Sequence, residues 1–120
     1  MYFRITIPSL QDGKKDEAIT FVKDKVMPEF DGTPGLISMT AAITGETSGI
    51  NMSAYESKEA SDAVAEKVQA TLAEAASFMA APPVIYEGEA VFGKVYQNIN
   101  KDEKKPCLLY TSDAADEVLG

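Results

Sequence analysis

"GINMSAYESKEASDAVAEKV", Gly49 to Val68, changes period at its midpoint. From Ile50 to Tyr55 apolar and polar residues alternate, as they do along a strand. Beyond Glu56 and Ser57 the apolar positions recur at the spacing of an amphipathic helix, and Ser57 is placed to cap that helix with its hydroxyl. The stripe Val64, Val68, Leu72, Ala75 and Met79 continues the helix, neighbouring alanines raise its propensity, and Pro82 and Pro83 stop it. A strand therefore hands over directly to a helix, with Tyr55 at the corner.

Working outward, Tyr2 to Ile7 alternates, with Phe3, Ile5 and Ile7 on one face and Tyr2, Arg4 and Thr6 on the other. Pro8 is expected to end this strand, since proline cannot donate to a ladder. Asp12 to Phe30 carries Ile19, Val22 and Val26 at helical spacing, and Pro28 predicts an end or kink near Met27. "DGTPG", Asp31 to Gly35, is turn chemistry. Leu36 to Thr44 reads as a strand with no charge on either face, which predicts cover on both sides. "TGETSG" closes a hairpin into the strand ending at Tyr55, and Ile85 to Phe92 is the fourth strand. The order β-α-β-β-α-β is that of an α+β, ferredoxin-like domain: a four-stranded antiparallel sheet with two helices on one face. Its open face would be an apolar patch on a monomer, so a symmetric homodimer packed sheet against sheet is expected.

The chain has 120 residues, and residues 1–95 are assigned to this one domain. Eleven basic residues against 19 acidic ones leave a net charge of -8, which argues against nucleic acid or an anionic membrane surface as a partner. No apolar run reaches the roughly 20 residues of a membrane span, and "MYFRITIPSL" does not resemble a secretory signal. A soluble cytoplasmic protein is expected. Cys107 is the only cysteine, so neither an internal disulfide nor a thiolate metal cluster is expected. The absence of histidine removes His-based acid/base catalysis, His-activated nucleophiles and proximal-His haem ligation. No glycine-rich phosphate loop follows a strand, and no metal, haem, flavin or nucleotide cofactor is expected.

"PGLISM", "GINMSAYESKEA" and "FMAAPPVIYEGEAV" together resemble the antibiotic biosynthesis monooxygenase-like group of dimeric α+β barrels. An aromatic at the end of the third strand followed by Ser-Lys-Glu-Ala recurs in that group; here it is Tyr55, Ser57, Lys58, Glu59 and Ala60. The resemblance implies a dimer with a pocket in each subunit between sheet and helices. Some members are cofactorless monooxygenases of polycyclic aromatic substrates. Others degrade haem with an Asn on the first strand and a Trp and a His on the second helix. The last two positions fall near Val64 and Glu74, and the first strand has no Asn, so haem degradation is disfavoured.

Four residues are candidates for a ligand pocket. Tyr55 offers a hydroxyl to a ligand, although an aromatic at a strand end is more commonly a core anchor. Asn51 and Ser53 share its strand face. Arg4, the only arginine, is suited to an anionic or phenolate ligand, against the commoner outcome of a salt bridge to Glu87 or Glu89 or exposure at a sheet edge. Three functional classes stay open: a small-molecule enzyme, foremost a cofactorless monooxygenase of aromatic substrates; a non-catalytic binder of an apolar metabolite; and an interaction module whose interior is filled by Phe21, Val64 and Leu72.

Residues 96–120 read as a tail. "CLLYTSDAADE", Cys107 to Glu117, resembles the peptide read from sequencing-adapter DNA, an artefact recurrent in environmental collections, which implies that residues from about 107 are not native. Otherwise Leu108, Leu109 and Tyr110 would anchor an extension on a neighbouring subunit, and Ser112 to Leu119 would form a short helix.

Overall fold

The computed structural model describes residues 1–96, so the tail readings from Asn98 onward, including the adapter-like stretch at Cys107, lie outside the described residues. Met1–Ala90 form one compact unit, and beyond it Val91 to Tyr96 are described and contain neither helix nor strand. Within the compact unit four strands, β1 (Tyr2–Leu10), β2 (Leu36–Gly45), β3 (Ser48–Tyr55) and β4 (Met79–Glu89), make an antiparallel sheet in the order β2-β3-β1-β4. Between β1 and β2 lie α1 (Lys15–Phe21), a π-helical turn (Val22–Val26) and α2 (Met27–Phe30). Between β3 and β4 lie α3 (Lys58–Ala63), α4 (Ala65–Ala75) and a 3-10 turn (Ala76–Phe78). This is the ferredoxin-like arrangement expected from the order of elements.

The prolines depart from expectation in part, for tertiary reasons. Pro8 does not end β1, although β1 is a central strand. The register slips between Ile7, opposite Val84, and Ser9, opposite Ala81, and this irregularity removes the need for an amide at Pro8. The regular helix is interrupted next to Met27, as expected, but by a π-helical turn ahead of the proline, and Pro28 to Phe30 are regular α-helix. Pro28 sits in the first turn of α2, and the wide turn of Val22–Val26 just before it accommodates a ring that would otherwise collide with the carbonyl four residues back. The helix does end before Pro82 and Pro83, but these are strand residues: β4 is an edge strand, so one amide would face outward, and the register slip between Val84 and Ala81 removes the need for the other. Consequently Met79 belongs to β4 rather than to the helical stripe, and the strand ends at Glu89 rather than Phe92.

The second helix is also broken. Ser57, extended at φ -158°, caps α3 by accepting from the Ala60 amide at 3.1 Å. At Val64 (φ -111°, ψ 12°) the chain leaves helical geometry for one residue. The Ser61 carbonyl accepts from the Val64 amide and from Arg4, both at 3.2 Å, which draws it out of the regular helical pattern.

The helices cover the more polar face of β1, with Tyr2, Arg4 and Thr6 buried beneath them. Leu10, Ala18, Ala75 and Phe78 form the buried core at the far end of that face, and Phe21 and Met79 pack on it. The Phe21 and Phe78 rings meet edge to face with centroids 5.3 Å apart. Phe21, Val64 and Leu72, the interior filler that an interaction module would need, are each half-buried.

Candidate functional site

Strand register decides which candidates meet. Arg4 lies opposite Ser53 on β3 and Glu87 on β4, and Ser53 lies opposite Met39 on β2. Met39, Ser53, Arg4 and Glu87 thus form one row across the helix-covered face, since directly opposed residues share a face. The adjacent row holds Ala41, Asn51, Thr6 and Ile85, and the row beyond Arg4 holds Leu36, Tyr55, Tyr2 and Glu89.

Arg4 is 7% exposed, and the protein supplies its partners. Nη1 donates to the Tyr55 hydroxyl at 3.0 Å, and Nη2 donates to Ser61 Oγ at 2.6 Å and to the Ser61 carbonyl. The Glu87 carboxylate stands 3.9 Å from Nε, and its other oxygen accepts from the Tyr2 hydroxyl at 3.2 Å. A buried guanidinium needs this combination of countercharge and acceptors. Burial, reinforced by the hydrogen bond to the Glu87 carboxylate and its negative charge, raises the Tyr2 hydroxyl above its usual 10.0. Lys58 is raised as well, chiefly by its hydrogen bond to Asp62 at 2.9 Å. Tyr55, 1% exposed, is a core anchor whose hydroxyl is spent on Arg4. Asn51 and Ser53 are half-buried beside this cluster.

The row ends at β2 in a cleft of about 290 Å³ between α2 and β2. Its lining is mixed: Met27, Phe30, Leu36, Ile37 and Met39 contribute apolar side chains, and Asp31, Gly32, Thr33 and Ser38 contribute polar surface in nearly equal measure. The Pro28-containing turn of α2 directs Phe30 inward, where it is 4% exposed, and a β-bulge between Leu36 and Ser38 displaces Ile37. Sequence reasoning missed this cleft and the part played by Ser61. Neither leaves a periodic signal: the cleft is assembled from a helix end, a turn and a bulge, and Ser61 is one small polar residue on a helix. Among the described residues no group of three or more His, Cys, Asp or Glu side chains gathers to hold a metal, and no helix is long and apolar enough to cross a membrane.

No protein-family profile matches the chain, and neither does any curated protein sequence. Solved structures do match. A protein of unknown function from Nitrosomonas europaea superposes with a TM-score of 0.70 at 17% identity, over 81% of this chain and 95% of the other. A monooxygenase from Streptomyces coelicolor, in complex with the ligand nanaomycin D, gives 0.65 at 17% identity, over 80% and 92%. The haem-degrader MhuD from Mycobacterium tuberculosis, with two haems bound in its active site, gives 0.64 at 19% identity, over 79% and 100%. Another match is described as an antibiotic biosynthesis monooxygenase.

The chain has the antibiotic biosynthesis monooxygenase-like fold. At these identities the likeness is one of fold, and it agrees with the resemblance carried by Tyr55 and the Ser57–Ala60 stretch. Within the antibiotic biosynthesis monooxygenase-like fold, the structure brings Arg4, Ser53 and Tyr55 together on the helix-covered face and puts Asn51 one row away.

Proposed function

We propose that this protein binds a small apolar molecule on the helix-covered face of its sheet, with the cleft between α2 and β2 as the seat. The observation that carries the reading is the group of apolar side chains Met27, Phe30, Leu36 and Met39 around the cleft, with Met39 at the β2 end of the row that runs through Ser53 to Arg4. Apolar walls with a few polar groups are the usual chemistry of a ligand site. Asp31, Thr33 and Ser38 are the polar residues of the cleft, and Ser53, opposite Met39, and Asn51 lie beyond it on β3. Arg4 and Tyr55, engaged with each other, act as its rigid floor rather than as ligand contacts. The working unit is a homodimer joined through the open sheet faces.

A second reading, cofactorless oxygenation of an aromatic substrate, is favoured by the fold shared with the Streptomyces coelicolor monooxygenase that holds nanaomycin D. One experiment separates the two. Protein with isotope-labelled methionine methyls is titrated with a panel of phenols and anthrones while oxygen uptake is followed without added cofactor. Binding moves the Met27 and Met39 signals and leaves Met52, on the opposite sheet face, in place. Oxygen uptake with any panel member selects the enzyme; shifts without uptake select the binder. Shifts confined to Met52 would overturn both readings.

A further inference from the structure

We infer that Asp31 sets the polarity of the ligand: its carboxylate accepts a hydrogen bond from a donor group on a small uncharged molecule and turns anions away. The inference rests on the cleft being the binding site. Among the side chains lining the cleft, Asp31 is the charged one, set at its exposed edge against the apolar wall. Its backbone amide donates to the Pro28 carbonyl at 3.3 Å, so the residue is tethered to the end of α2 through the main chain.

The cations nearest the cleft and the row leading from it already have partners within the protein. Lys67 Nζ lies 4.7 Å from the Phe30 ring centroid and donates to the Glu29 carbonyl. Lys25 stands 3.5 Å from both the Glu29 and Glu74 carboxylates. Arg4 is held by Tyr55, Ser61 and Glu87. A ligand carboxylate would meet like charge at Asp31 itself, whereas a hydroxyl or amide N–H would find a strong acceptor there. Size points the same way. At about 290 Å³ the cleft falls at the small end of ligand sites, which suits a molecule of one or two rings.

Three isosteric probes test this on the intact 120-residue protein: 2-naphthol, naphthalene and 2-naphthoate, each titrated against the Met27 and Met39 methyl signals. We expect 2-naphthol to bind about fivefold or more tighter than naphthalene, the worth of one hydrogen bond to a charged acceptor, and 2-naphthoate to bind weakest. Asp31→Ala should erase the advantage of 2-naphthol over naphthalene, and Asp31→Asn should strengthen 2-naphthoate. The side chain is exposed, so neither variant threatens the fold. Equal binding of 2-naphthol and naphthalene, binding of 2-naphthoate as tight as that of 2-naphthol, or an unchanged order in Asp31→Ala would overturn the role of Asp31 and leave the cleft standing. If no probe moves Met27 or Met39, the cleft fails as a site and the role of Asp31 fails with it.

Discussion

Arg4 shows how one residue can join two elements. Its guanidinium ties the central strand to α3 through Ser61 and to the end of β3 through Tyr55, at a depth where an unpaired charge would be untenable. Tyr55→Phe keeps the ring but leaves an Nη1 donor without its acceptor. The expected loss is about 1–3 kcal/mol in urea denaturation, and a loss below about 0.5 kcal/mol would mean that water replaces the hydroxyl. Glu87 has a second readout. Tyr2 is raised in the folded state, so its contribution to stability is complete below the unfolded value near 10.0 and disappears as pH rises through the higher folded value. Glu87→Gln removes the carboxylate charge that favours the neutral phenol. Ultraviolet titration should then show Tyr2 ionising closer to 10.0, and an unmoved titration would leave burial as the sole cause. The importance of Arg4 was legible because it is the single arginine among apolar strand residues. That of Ser61 was not, because its role depends on which helix face meets Arg4.

At the level of elements, the corner between β2 and α3 depends on glycine. Gly35 has φ +79°, its carbonyl accepts from the Glu56 amide at 2.8 Å, and a Cβ there would lie 2.6 Å from the Ala60 Cβ. Gly32 shares the positive φ of +75° but has nothing within 4 Å. Gly32→Ala should therefore cost only the left-handed backbone penalty of about 1–2 kcal/mol. Gly35→Ala adds overpacking against α3, about 1–3 kcal/mol more. Chemical denaturation of the pair separates the two contributions, and equal losses would show that α3 shifts freely. The turn "DGTPG" was readable as such, and so was the existence of every strand, because alternation survives in a single sequence. The prolines misled: whether Pro8 or Pro82 is tolerated depends on a bulge or an edge position, both products of the assembled sheet. The break at Val64 was equally hidden, since the stripe Val64, Val68 and Leu72 keeps helical spacing across it.

For the whole molecule, the two faces of the sheet divide the work. The helix-covered face carries the polar row and the cleft, whereas the open face carries the apolar half of β1's alternation. There Ile7, Met52, Val84 and Tyr86 are 36%, 40%, 49% and 60% exposed. Ile5 lies opposite both Met52 and Tyr86, so these side chains form a continuous patch rather than scattered residues. A second copy of the same face is self-complementary in this chemistry, and a stable pair would need to bury about 800 Å² on each partner. Wild-type protein at micromolar concentration should therefore elute with the mass of a dimer by light scattering. Tyr86→Glu would place a carboxylate without countercharge at the centre of the patch and should weaken association by tenfold or more, since an unpaired charge in a dry interface costs about 1.4 kcal/mol at the least. Ile37→Glu changes an equally exposed apolar residue beside the cleft, 51% exposed, and should leave the dimer intact. If the cleft variant dissociates the protein and the sheet variant does not, the partner sits at the α2–β2 edge, and the cleft would then be covered by protein instead of open to a ligand.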